Sequence, residues 1–217
     1  MKNNSTNPGE DLQAIRDIME RSSKFLSLSG LSGIVAGFCA LIGAAAAWFF
    51  ILDSGHLHYD EYMHSLDATP TGSIRFYMVL DAALVLCAAV LGAAYFSYRK
   101  ARKAGQPVWT GSTRRLLIHL LIPLVTGGIF TVILVLRNNT DLVASVMLIF
   151  YGLSLVNAGK FTFSEVHYLG LTEIALGILA GIFINFGLVF WATGFGLMHI
   201  VYGTIMYFKY EGTRLRA

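Results

Sequence analysis

Apolar residues in this chain neither alternate nor keep to one helical face. They run on with few interruptions for about the length of a bilayer crossing and then give way to short polar stretches. Roughly 30 Å of hydrocarbon needs about 20 helical residues, and six stretches are candidates, the fourth of them shorter. They are residues 25–52, 76–98, 116–136, 142–156, 163–186 and 188–208. The last two share an apolar run from Val166 to Phe208 that is too long for one crossing, and Asn185-Phe186-Gly187 supplies the turn chemistry between them. The pattern predicts an all-α, polytopic transmembrane bundle of six helices over residues 25–211. A short amphipathic lead-in over residues 1–24 precedes it and a tail over residues 212–217 follows.

Composition sharpens this into a statement about solvent. Of 217 residues, 55% are hydrophobic and 13% charged, about half the charge of a soluble domain, which excludes a soluble enzyme. The 13% aromatic content excludes disorder, and the two cysteines lie inside apolar runs, where they behave as small hydrophobes. The 16 Lys and Arg residues set the threading, because cytoplasmic loops retain them. With both termini inside, all but Arg75 and Arg137 fall on the cytoplasmic side, while the long outer loop carries Asp53, Asp60, Glu61 and Asp67. The expected location is the plasma (inner) membrane of a bacterium, crossed several times. No cleavable leader is expected, because the first 24 residues are polar.

Local signals mark some ends. Asn7-Pro8 followed by Glu10 and Asp11 reads as a helix start. Leu12, Ile15, Ile18 and Met19 then form a stripe that lies on the membrane surface or on a partner. Gly159 reads as a C-cap, and Thr162 with Glu165 reads as a capping box flanked by a Phe161–Val166 staple.

Small residues mark faces where helices in lipid approach closely. Ser29, Gly33 and Gly37 recur every four residues beside Ala36, Ala40 and Ala44. This face places the first helix centrally or forms a seam with a second copy or another membrane protein. A weak echo links Gly30–Gly37 to Gly170–Gly177, too short in a Gly-rich chain to carry more.

Ionisable groups in hydrocarbon are costly and face a partner or a cavity. Four stand out: Asp81 toward the outer third, His199 near the middle, and His119 and Glu173 toward the inner third. Glu173 shares a stripe with Gly170, Gly177, Ala180 and Gly181, His199 one with Ala192, Gly196, Tyr202 and Gly203, and Asp81 one with Ala88 and Gly92. Pro123 withholds a hydrogen bond from the carbonyl of His119, four residues back. The four groups suit an intramembrane pathway for protons or small cations. The structural alternative has Glu173 paired with His119, His199 donating to a carbonyl, and Asp81 reaching out toward Arg75.

The outer loop gathers His56, His58, Asp60, Glu61 and His64, a donor set that suits a transition metal although it meets no zinc spacing. No cofactor is otherwise called for. The chain has no HExxH, GxSxG, Walker A, GxGxxG or CxxC pattern and no nucleic-acid module, so an enzyme is disfavoured. The segments Tyr151 to Lys160, His167 to Gly170, Glu173 and Ile174, His199 to Gly203 and Tyr207 to Glu211 resemble an uncharacterised bacterial six-helix integral membrane protein family. That resemblance implies an inner-membrane location and no activity. Three functional expectations follow: a small proton- or cation-linked transporter, a non-catalytic accessory or scaffold subunit, and a metal-binding membrane protein using the outer loop.

Overall fold

The computed structural model describes residues 28–51, 72–105, 107–137 and 139–212. The lead-in over residues 1–24, the histidine loop from His56 to His64 and the tail from residue 213 lie outside the described residues, as does the side chain of Arg75.

Among the described residues every regular element is helical. Helix α1 (Gly30–Ala46) runs into a π-helical stretch, Ala47–Ile51. Then come α2 (Gly72–Lys103), α3 (Gly111–Leu136), α4 (Val143–Gly159) and α5 (Ser164–Ile182). The sixth span, Ile184–Tyr210, is composite. A 3₁₀ turn at Ile184–Phe186 leads to α6 (Gly187–Trp191), a π-helical stretch at Ala192–Met198, and α7 (His199–Tyr210). Six helical spans are long and apolar enough to cross a membrane, so this is a multi-pass membrane protein.

The helices extend past their apolar cores, which alone set the expected limits. Helix α2 continues to Lys103, where Lys100, Arg102 and Lys103 complement the negative end of the helix dipole. It closes on Gly105, whose φ of 63° needs a residue without a Cβ. Helix α3 starts five residues before the expected 116, because Thr110 and Thr113 cap each other reciprocally.

Other ends correct the expectations. Ser29 is extended, so α1 begins at Gly30 rather than residue 25. Gly159 is the last helical residue and not a left-handed cap; a Cβ there would meet the backbone of His167, so it is small for close packing. The Thr162–Glu165 capping box does not form. The Thr162 hydroxyl donates back to Ala158, while Glu165 is drawn to Lys209 and Tyr210.

Two glycine seams hold the bundle. Along α1, Gly30, Gly33 and Gly37 meet the backbone of the sixth span at Gly203, His199 and Gly196, which gives α1 the central place that its small-residue face implies. Between α4 and α5, Gly152 and Gly170 abut each other, and Gly177 abuts Ile149. There Ser145 also donates to the Gly177 carbonyl at 2.7 Å. The sixth span joins the two halves by packing on α1 on one side and on α4 and α5 on the other, while α2 leans on α1 and α3 on α4. These flanking helices turn Leu84, Leu91, Ile122 and Ile129 outward, as lipid-facing helices do.

Candidate functional site

The sixth span carries the irregularity around which the site is built. Residues Ala192–Met198 are π-helical, a geometry that recurs at functional positions because it breaks the regular i→i+4 pairing. The backbone N–H of His199 bonds to Gly196, and the Gly194 carbonyl lies 3.1 Å from the His199 ring Nδ1. A carbonyl only accepts, so Nδ1 carries a proton. Nε2 lies 2.7 Å from the Tyr151 hydroxyl. In the neutral ring Nε2 is therefore an acceptor and the phenol donates to it.

Glu173 completes the group. Its Oε1 lies 3.4 Å from His199 Nδ1, yet neither carboxyl oxygen has a hydrogen-bond partner, and the residue is 0% exposed. It lies nine residues from either end of α5, about 14 Å along the axis each way. Tyr151 is likewise the midpoint of α4. The cluster therefore sits halfway along the helices that form it, and Glu173 is central rather than toward one end.

Small and aromatic residues shape its walls. A Cβ at Gly194 would run into the Glu173 carboxylate and into Leu148, so glycine lets the acid approach the π-helical backbone. Leu148 itself is fully buried. Phe195 lies 4.9 Å from the Tyr151 ring and 6.2 Å from His199, and Trp191 extends the same wall. The carboxyl is thus fully buried near Leu148 and Gly194 with the His199 imidazole 3.4 Å away, and the aromatic rings line the side of Tyr151 and His199.

Of the four intramembrane residues singled out by sequence, the structure brings two together. His119 is exposed on α3 and stacks on Phe161 at 5.0 Å, so it pairs with a ring and not with Glu173. Asp81 faces Gly43 on the C-terminal half of α1, six residues or about 9 Å beyond Gly37. Its stripe runs through Val85, Ala89 and Gly92, with Ala88 on the exposed side. The expectation that His199 donates to a carbonyl matches the Gly194 contact. Sequence reading did not single out Tyr151 as a site residue; its signal is a lone phenol at the centre of the shortest apolar run, next to Gly152. Among the described residues, no three His, Cys, Asp or Glu side chains gather as metal ligands. The five loop donors from His56 to His64 lie outside those residues.

A second polar cluster closes one end of the bundle. Glu211 accepts from the Gly30 backbone N–H at 2.8 Å, from Ser29 Oγ at 3.1 Å and from Lys100 Nζ at 3.1 Å. Lys100 also donates to the Leu28 carbonyl at 2.6 Å and lies over the Phe163 ring. Beside it, Lys209 pairs with Glu165 at 2.5 Å, and Tyr210 donates to Glu165 while its ring packs on Phe163. Helices α1, α2, α5 and α7 are tied together at this end. No family model, curated protein or solved structure matches this chain.

Proposed function

We propose that the protein is a small proton- or cation-linked transporter of the bacterial plasma (inner) membrane, with both termini cytoplasmic. Glu173 and His199 are its proton-binding pair. The observation that carries this reading is the Glu173 carboxyl, fully buried at the middle of a spanning helix, with no hydrogen-bond donor and an imidazole 3.4 Å away. An ionised carboxylate there costs several kcal/mol, on the order of what breaking a buried pair costs. The site is relieved either by a proton on Glu173 or by a second proton on His199, which makes an ion pair. In the first form the exchangeable proton is on the carboxyl and Nε2 accepts from Tyr151; in the second it is on Nε2, which donates to the Tyr151 oxygen while Nδ1–H faces the carboxylate.

In the arrangement described, the Glu211 clasp ties one end together, Phe195 flanks His199 and Glu173 is fully buried, which suits a closed transport state. Asp81 and His119 are not joined to the pair, so the proposed pathway is narrower than a four-residue ladder. The test is proton uptake into liposomes that hold purified protein and an entrapped pH dye. Glu173→Gln should reduce uptake to that of protein-free liposomes. Uptake equal to wild type would end the proposal.

The accessory-subunit reading has its own support in the close-packed glycine seams and the ion-paired end, which suit a rigid scaffold. A scaffold would give no proton uptake in the same assay and would tolerate Glu173→Gln.

A further inference from the structure

The cations at the end of α2 divide between two faces. Lys100 turns inward to Glu211 and Leu28. Arg99, Arg102 and Lys103 turn outward and, with Tyr95 and Tyr98, line a recess of about 380 Å³. Among the described residues these three cations have no carboxylate partner.

The position of the recess limits what can fill it. Helix α2 has 32 residues, about 48 Å, which is longer than the roughly 30 Å of hydrocarbon. Its charged last turns therefore stand at the polar boundary, where tyrosines anchor helices. The exposed stripe Leu84, Cys87, Leu91, Tyr95, Tyr98 and Arg102 recurs every three or four residues and leads straight from lipid-facing leucines into the recess. A ligand held there stands above the acyl chains that cover Leu84 and Leu91. Retention of positive charge on one side of the membrane accounts for cations at this end of the helix. It does not account for three of them and two tyrosines sharing one recess on the lipid-facing side while Lys100 points the other way.

We infer that this recess binds the headgroup phosphate of an anionic phospholipid. Arg99 and Arg102 offer planar, forked donors for phosphate oxygens, and Lys103 adds a point charge. Tyr95 and Tyr98 sit at the level of the glycerol backbone, and the acyl chains run down the leucine stripe. The chemistry recognises a phosphate monoanion with no ammonium attached beside it, which phosphatidylglycerol offers and phosphatidylcholine, with its choline, does not, and the continuity with the lipid-facing stripe selects a lipid as its carrier.

Native mass spectrometry of the purified full-length protein tests this, using phosphatidylglycerol and phosphatidylcholine with identical acyl chains as probes. Wild type should retain phosphatidylglycerol preferentially. Each cation removed should lower that preference roughly fivefold, the equivalent of a surface cation on an anionic membrane. The triple variant Arg99→Gln/Arg102→Gln/Lys103→Gln should hold both lipids equally; if it fails to fold, Arg102→Gln alone should show the single step. Arg102→Lys, which keeps the charge and loses the fork, should keep most of the preference. Equal retention of the two lipids by wild type would overturn the inference, as would an unchanged preference in the folded variant. Displacement of the lipid by millimolar inorganic phosphate alone would mark a site for soluble anions and overturn the lipid assignment.

Discussion

Two glutamates of this chain sit in opposite surroundings. Glu211, at the end of the bundle, accepts from a backbone N–H, a hydroxyl and an ammonium, and caps a helix that begins with no side-chain cap of its own. Glu173, at the centre, accepts from nothing and has one imidazole at 3.4 Å. Hydrogen bonds to charged groups contribute about 1.5–3 kcal/mol each, so Glu211 is placed where its charge stabilises the fold. Glu173 is placed where its charge destabilises it. A chain that needed only packing at the centre of α5 would be better served by Leu or Met, because replacing a buried charge by an apolar group of similar volume is often stabilising by about 1–4 kcal/mol. On the proposed reading, the contrast separates a group that holds the bundle together from one whose worth lies in changing its protonation.

The largest expected effect breaks the comparison at its centre. Glu173→Gln should lower proton uptake at least tenfold, about 1.4 kcal/mol or more on the barrier, while melting temperature in detergent stays equal or rises. A fall in melting temperature with uptake intact would assign Glu173 to the fold instead. Next comes Gly194→Ala. Its methyl group must displace the Glu173 carboxylate or Leu148, at about 1–3 kcal/mol of overpacking; thermal unfolding and uptake should both decline.

At the bundle end, Glu211→Ala should destabilise by about 2 kcal/mol, from lost bonds to Gly30, Ser29 and Lys100. Denaturant titration followed by tryptophan fluorescence would read that loss. Tyr151→Phe removes one hydrogen bond to His199 and should cost about 1 kcal/mol, with uptake retained and its pH profile displaced. The smallest effect belongs to His119→Leu, on the exposed side of α3, which should stay within about 0.5 kcal/mol and leave uptake unchanged.

How much of this could be read from sequence follows from which forces leave a local trace. Length and apolarity fix the spans because the bilayer is a simple filter, and the stripes through Gly170, Glu173 and Gly177 and through Gly196, His199 and Gly203 mark the faces that are buried. Pairing between helices leaves no such trace. Glu173 meets His199 and not His119, and the residue it meets directly follows the π-helical stretch at Ala192–Met198, a seven-residue change of helical geometry that has no signature in hydropathy.

The helix ends were hidden for a related reason. Gly30 is capped by Glu211, 181 residues away, and Glu165 is taken from its expected capping role by Lys209. The reach of α2 to Lys103 and the early start of α3 lie beyond hydrocarbon, where apolarity no longer reports on helix. Tyr151 was legible only as a residue type, since nothing local to α4 indicates that His199 will face it.

The central claim is that Glu173 gains and loses a proton within the closed bundle. Difference infrared spectroscopy of the purified protein in lipid, scanned across pH, reads the carboxylic C=O stretch of a buried acid directly. The account requires a band that appears on acidification, vanishes on alkalinisation and is absent from Glu173→Gln. A spectrum in which Glu173→Gln removes no pH-dependent carboxylic band would contradict it.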